Sequence, residues 1–166
     1  MPRTIRGDRD PQGSGARRLF PVRRVHLVDI ENLAGASLPS LGEVREALDL
    51  YTGCLAIGAM DQVEVASSHL TLLNAALGWP HAHYRVRSGP DGADLALLDV
   101  LRHENVASRF THVAIGSGDH MFAEAAEHLA DQGVWVTVVS RRHSLSRRLA
   151  QAARQVIFLD TPAEAA

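Results

Sequence analysis

The sequence VHLVDIENL at residues 25–33 joins a short apolar run to a polar segment. The run is interrupted by His26 and ends at Asp29, and Glu31 and Asn32 follow closely. Short apolar runs bounded by polar residues are typical of strands buried in a sheet. The stretch therefore predicts a buried strand whose carboxyl end carries acidic and amide side chains.

Short apolar runs and helical stripes alternate along the rest of the chain. Further strands are predicted near residues 62–66, 81–86, 111–115, 134–139 and 156–159. Between them, apolar residues recur at helical spacing near 41–51, 70–77, 97–101, 122–129 and 145–153. Strand–helix alternation implies parallel strands joined by right-handed crossovers. We therefore expect an α/β protein, a three-layer α/β/α sandwich around a parallel, Rossmann-like sheet.

The length of 166 residues fits one domain, which we place at residues 22–160. Residues 1–21 mix Gly, Pro, Ser and Arg without periodicity, so we expect a disordered basic arm there and a short tail at 161–166. Residues 1–24 hold seven arginines against two acids, whereas residues 25–166 hold ten arginines against seventeen acids. A basic arm on an acidic body is expected either to contact nucleic acid or to act as a solubilising tail.

The composition excludes several kinds of chemistry. The chain has no lysine, which excludes a P-loop lysine, Schiff-base chemistry and a lysine general base. Its single cysteine, Cys54, excludes an internal disulfide and provides no metal cluster. The apolar runs are too short to cross a bilayer, and the first 24 residues lack the apolar segment of a signal peptide. We therefore expect a cytoplasmic protein that is not bound to a membrane.

Three acidic segments lie where predicted strands give way to helices or loops. They read VDIEN at 28–32, GADLALLD at 92–99 and GSGDHMF at 116–122. Sites in open α/β sheets form at the carboxyl ends of strands, and carboxylates that converge there favour a divalent cation. A structural interpretation stays open for each acid. The helix dipole alone would favour Asp94 in a first helical turn, and Asp119 would serve as a helix N-cap.

The three segments, in this order and at this spacing, resemble those of NYN domains, a branch of the PIN-like nucleases, over about residues 24–160. The resemblance implies a PIN-like sheet with strand order 3-2-1-4-5 and a metal-dependent ribonuclease that uses Mg²⁺ or Mn²⁺. The catalytic residues it implies are Asp29, Asn32, Asp94 and Asp119. The metal ligands it implies are Asp29, Asp94, Asp119 and, as an accessory acid, Asp99. Asp29 and Asp119 would then flank the topological switch point of the sheet.

The chain departs from the family pattern at three places. Met121 replaces the second acid of the third segment, Asp91 replaces a common lysine before the second segment, and Arg154 replaces a late acid. Methionine does not ligate a hard cation, so an alternative to the ribonuclease is a weakened or inactive RNA-binding module. A receiver-like phosphotransfer domain is disfavoured because it requires a lysine.

A basic cluster lies near the carboxyl end of the chain. We predict that it contacts the RNA backbone through Arg141, Arg142, Ser144, Arg147 and Arg148, with Ser144 as the N-cap of the last helix. The alternative is an exposed basic helix face without a ligand. RNA is the expected partner, and a homodimer or a protein partner stays open.

Overall fold

The computed structural model describes residues 22–159. The predicted basic arm at 1–21, the tail at 161–166 and residue 160 lie outside the described residues. Six strands form one sheet: β1 (Arg24–Asp29), β2 (Gln62–Ser67), β3 (His83–Val86), β4 (His112–Gly116), β5 (Trp135–Ser140) and β6 (Gln155–Phe158). All five strand pairs are parallel and the order is β3-β2-β1-β4-β5-β6. The expected order 3-2-1-4-5 is confirmed, with β6 added at one edge.

Seven α-helices connect these strands and cover both faces of the sheet. They are α1 (Ile30–Ala34), α2 (Leu41–Cys54), α3 (Leu72–Gly78), α4 (Gly92–His103), α5 (Val106–Arg109), α6 (Ala123–Asp131) and α7 (Arg147–Ala152). Two 3₁₀ turns, at His120–Phe122 and Arg142–Ser144, follow β4 and β5. No helix among residues 22–159 is both long and apolar enough to cross a membrane.

Two separate apolar cores lie on the two faces of the sheet. Leu27 and Ile115 pack with Leu97 of α4 on one face. Val28 packs with Leu33 of α1 and Tyr51 of α2 on the other. Because neighbouring strand residues point to opposite faces, β1 supplies both cores. The predicted three-layer α/β/α sandwich is therefore confirmed.

The histidine that interrupts the first apolar run is buried in the sheet. His26 Nδ1 lies 2.8 Å from the Tyr51 hydroxyl, and its Nε2 lies 3.1 Å from a carboxylate oxygen of Asp61. Burial holds the pKa of His26 below its usual range, against the opposing influence of Asp61. The buried imidazole is thus satisfied on both nitrogens, which explains how a polar residue is tolerated in the central strand.

The structure corrects the start of the last helix. Helix α7 begins at Arg147, and its N-cap is Ser146, whose hydroxyl accepts a hydrogen bond from the Leu149 N–H at 3.1 Å. The prediction that Ser144 is this N-cap was wrong, because Ser144 ends the preceding 3₁₀ turn. Two serines in near succession offer two possible caps, and the sequence does not distinguish them.

Candidate metal and nucleic-acid site

Asp29 lies at the carboxyl end of β1, between β2 and β4 in the centre of the sheet. It is the N-cap of α1, and one carboxyl oxygen accepts hydrogen bonds from the backbone N–H groups of Glu31 and Asn32, both at 3.1 Å. Only 5% of the residue is exposed. The short helix that begins directly after the strand therefore fixes this buried carboxyl at the switch point of the sheet.

Asp94 lies in the first turn of α4 and is 7% exposed. Its carboxyl interacts with that of Asp29, and this interaction raises the pKa of Asp94, so that a proton held by the pair is favoured. Its Oδ1 atom is buried and has no hydrogen-bond partner. A buried carboxyl oxygen without a donor is costly, so this atom has an unused capacity to bind a ligand.

The pKa values of both acids are raised above the ordinary value of an aspartate. Burial, reinforced by the negative charges of Asp29 and Asp119, raises the pKa of Asp94 to about 8. Burial also raises the pKa of Asp29, to about 6, although the hydrogen bonds from the backbone oppose the shift. Ionising both carboxyls costs free energy because their charges repel each other. A cation bound between them would offset this repulsion and replace the proton.

Asp119 follows β4 and contributes charge to the same region. Its Oδ1 accepts a hydrogen bond from the Met121 N–H at 2.8 Å and lies 3.1 Å from Nδ1 of His120. Asp119 therefore caps the 3₁₀ turn, as the structural interpretation of the sequence expects. Its charge also acts on Asp94, so the structural and electrostatic interpretations both apply.

The donor set fits a divalent cation with partial protein coordination. Within residues 22–159, no three His, Cys, Asp or Glu side chains are gathered closely enough to enclose an ion. The close pair is Asp29 and Asp94, with one unpaired buried oxygen. Mg²⁺ is commonly bound by one or two carboxylates and keeps several water molecules or phosphate oxygens as its other ligands. The residues present therefore fit such an ion better than a closed structural site.

Asn32 connects the first acidic segment to the third. Its side-chain Oδ1 accepts a hydrogen bond from the Gly118 N–H at 3.2 Å. Gly118 is also required by close packing, because a Cβ atom there would lie 2.3 Å from the Ser144 carbonyl oxygen. The predicted orienting residue thus contacts the loop that leads to Asp119, and this loop in turn contacts the segment after β5.

Asp99 lies apart from the acidic pair. Its side chain is 57% exposed on α4, where it forms an ion pair with Arg87 at 3.3 Å and lies 3.9 Å from His103. Residues 94 and 99 are five positions apart on one helix, which turns their side chains to different faces. We therefore leave Asp99 out of the proposed metal ligands.

The two departures at positions 91 and 121 have opposite consequences. Met121 packs against the apolar core that contains Phe122 and Leu149, so its side chain adds to the core and not to the acidic pair. Asp91 is exposed at the start of α4, and its negative charge acts on Asp94. Position 91 thus adds negative charge that acts on Asp94, whereas position 121 adds none.

The predicted basic cluster divides into two parts. Arg141 has a structural role, since its Nε donates to the Leu33 carbonyl oxygen at 2.8 Å, at the end of α1. The guanidinium carbon of Arg142 lies 4.2 Å from the centre of the Phe158 ring. Arg147 and Arg148 are exposed in the first turn of α7. The exposed part thus consists of Arg142, Arg147 and Arg148.

An open, shallow depression lies beside Asp29 and reaches the segment after β5, between Arg142 and Arg147. Asp29, Asn32, His143 and Ser144 contribute to its lining. Ser144 lines the same depression as Asp29, and it is not a helix cap. His143 is a candidate contact that the sequence analysis missed. Its position between Arg142 and Ser144 in the basic cluster was the available signal.

Comparisons with known proteins agree with this architecture. The family model for the NYN domain matches residues 25–160. A solved structure of a protein of unknown function, VPA0982 from Vibrio parahaemolyticus, superimposes with a TM-score of 0.57. That likeness has 15% sequence identity and covers 84% of this chain and 93% of the other, and it concerns the fold alone. No curated protein matches the chain. The matched residues contain all three acidic segments and the whole sheet, and the chain belongs to the NYN domain family, whose fold is of the PIN-like nuclease type.

Proposed function

We propose that the protein is a metal-dependent ribonuclease that uses Mg²⁺ or Mn²⁺ bound by Asp29 and Asp94. The observation that carries this proposal is the buried pair of acids at the end of β1 and the start of α4, in which Asp94 Oδ1 has no hydrogen-bond partner. Two unit charges 4 Å apart at an effective dielectric constant near 20 interact by about 4 kcal/mol. Two acids this close together destabilise the fold when no cation is bound. They lie at the switch point of the sheet, where ligands bind in open α/β folds.

The roles of the individual residues follow from their contacts. A bound divalent cation would activate a water molecule and neutralise the scissile phosphate. Asp29 and Asp94 would hold the cation, and Asp119 would add negative charge beyond them. Asn32 would position the Asp119 loop through its hydrogen bond to the Gly118 N–H. The two ligands would be held in fixed positions, because Asp29 is the N-cap of α1 and Asp94 lies in the first turn of α4.

The RNA backbone would be bound beside the acids. Ser144 and His143 line the same depression as Asp29, and the exposed Arg147 and Arg148 follow shortly after them. Arginine binds phosphate oxygens without reading the base sequence. We therefore propose RNA as the partner, bound mainly through its sugar–phosphate backbone.

The second candidate is an RNA-binding module that does not cleave. Met121 favours it, because the side chain at that position packs against the apolar core and supplies no ligand. The same depression and exposed arginines would then serve binding alone. The two candidates differ in whether the acidic pair binds a cation that takes part in hydrolysis.

The test is cleavage of labelled single-stranded RNA by the purified protein in Mn²⁺, Mg²⁺ or EDTA. Asp29→Asn and Asp94→Asn are compared with Asp99→Asn, a matched control on the exposed face of α4. We expect metal-dependent cleavage that is lost in the first two variants and kept in the third. Absence of cleavage by the wild type, with RNA still retained on a filter, would refute the ribonuclease and favour the binding module.

A further inference from the structure

An exposed apolar surface lies on the side of the sheet covered by α2 and α3. Its members are Leu38, Leu70, Leu73 and Leu77, which we call the leucine face; their exposed fractions are 61%, 78%, 68% and 55%. Leu73 and Leu77 are four residues apart on α3, which places them on one side of the helix, and Leu70 lies in the turn just before it. Single exposed leucines are ordinary, but four in one surface region are not.

The packing of α3 keeps these leucines in solvent. The helix contacts α2 through small residues, and a Cβ atom at Gly78 would lie 2.5 Å from Cγ1 of Val44. Ala75 and Gly78 are its buried positions. The side-chain amide of Asn74 donates to the Pro39 carbonyl oxygen at 3.1 Å, which ties the segment of Leu38 to the same helix. The opposite side of α3 therefore cannot turn into the core without breaking this close contact.

The segment of the chain that carries Leu70, Leu73 and Leu77 contains no charged residue. Residues 65–84 contain no Asp, Glu, Arg or Lys, and their three histidines are formally neutral at pH 7. Charged residues make up 22% of the whole chain, so a run of twenty residues without one, from the end of β2 through α3 to the start of β3, is a clear departure. Depletion of charge in the centre of an apolar patch is the compositional signature of protein–protein interfaces.

We propose that the leucine face is the contact surface between two copies of this chain, related by a two-fold axis. Uncharged surfaces meet each other without repulsion, and a two-fold contact needs only one self-complementary patch. The four side chains present on the order of 500 Å² of apolar area, as large as the biggest patches on typical monomers. This area is smaller than the roughly 800 Å² per partner of a standard interface, so we expect a dimer at the weak end of the range.

The leucine face adjoins the candidate site. Glu31, two residues after Asp29, accepts hydrogen bonds at 3.0 Å from the Ser68 N–H and the Thr71 hydroxyl, on either side of Leu70. On the other side, the His69 N–H donates to the Ser88 hydroxyl at 3.1 Å, in the loop before α4. A second copy packed against Leu70 would therefore restrict the motion of α1 and of the loop before α4, the two segments that carry Glu31 and Ser88. Dimerisation itself does not depend on ribonuclease activity.

The test is the mass of the full chain in solution, measured by sedimentation velocity and light scattering. We expect a rise from monomer towards dimer between about 1 and 100 µM, within the affinity range of interfaces near standard size. The double variant Leu70→Glu with Leu73→Glu is expected to stay monomeric. The matched control is Met60→Glu, which changes another exposed apolar residue and is expected to leave the dimer intact. Thermal melting checks that each variant is folded.

A charge-swap mixture tests whether the face pairs with itself. Leu73→Glu and Leu73→Arg are each expected to weaken the dimer at least tenfold, whereas an equimolar mixture is expected to restore it as a heterodimer. A wild type that is monomeric over the whole range would overturn the proposal and assign the face to a different occupant. A dimer that persists in the Leu70→Glu, Leu73→Glu variant would also overturn it, because the contact would then lie elsewhere.

Discussion

Asp94→Asn is expected to stabilise the metal-free protein while it removes the proposed cation site. The pKa of Asp94 is raised from a reference value of 3.8 to about 8. Because the folded-state pKa is raised, the associated stability is complete below the reference value and is lost as the pH rises through about 8. Each pKa unit corresponds to about 1.4 kcal/mol, so at pH 7 the loss is on the order of 4 kcal/mol. Asparagine has nearly the same shape as aspartate and does not ionise, so this loss is absent in the variant.

The measurement is thermal unfolding in EDTA at several values of pH. For a domain of this size about 1 kcal/mol corresponds to roughly 2–4 °C, so a loss of about 4 kcal/mol predicts that Asp94→Asn melts roughly 8–16 °C above the wild type at pH 7, and at least as far above it at pH 8. The difference is expected to shrink towards pH 5, because ionisation of Asp94 in the unfolded state favours unfolding less at lower pH. Added Mn²⁺ is expected to raise the melting temperature of the wild type and not that of the variant.

Asp99→Asn is the control for this experiment. It removes an exposed acid from the same helix, and its melting temperature is expected to change little at any pH. The reasoning would be refuted if Asp94→Asn melted below the wild type in EDTA at pH 8. A difference that was equal at pH 5 and pH 8 would refute it as well, because the effect would then be unrelated to ionisation.

Substitutions at four further residues test the surroundings of the acidic pair. Gly118→Ala is expected to lower the melting temperature markedly, because its Cβ would lie 2.3 Å from the Ser144 carbonyl oxygen; an unchanged melting curve would show that the loop relaxes freely. Arg141→Ala is expected to lower the free energy of unfolding by about 1–3 kcal/mol, because it loses the hydrogen bond to the Leu33 carbonyl oxygen. Arg147→Ala is expected to weaken RNA binding in filter-binding assays and to reduce the slope of log affinity against log salt concentration by about one. The reverse pattern would contradict these roles. Asn32→Ala is expected to reduce cleavage more than Asn32→Asp, which keeps an acceptor for the Gly118 N–H; equal loss in both would argue against positioning.

The alternation of strands and helices was predictable from local patterns, because the strands β1, β4 and β5 at the centre of the sheet are short runs of mostly apolar residues. The position of Asp29 was predictable for the same reason, since an acid directly after a buried strand lies at the edge of the sheet. The order of the strands was not deducible from periodicity and came from the resemblance of three acidic segments. Periodicity reports which residues are buried, but not which strands are neighbours.

Other features depend on contacts between distant segments and left no local signal. The interaction of Asp29 with Asp94 depends on where α4 begins relative to β1. Arg141 is one of several arginines in a basic cluster, and only the structure shows that it binds the Leu33 carbonyl oxygen at the end of α1. The exposure of Leu73 depends on Gly78, which brings the other side of the helix against α2.

The most direct test of the central claim is Mn²⁺ titration by calorimetry in two buffers of different ionisation enthalpy at pH 7. The claim is that a divalent cation takes the place of the proton held by the pair of Asp29 and Asp94. We expect binding to release about one proton, because the pKa of Asp94 lies above the pH of the experiment. Both the binding and the proton release are expected to disappear in Asp94→Asn and to persist in Asp99→Asn. Binding without proton release, or binding that survives Asp94→Asn, would contradict the account.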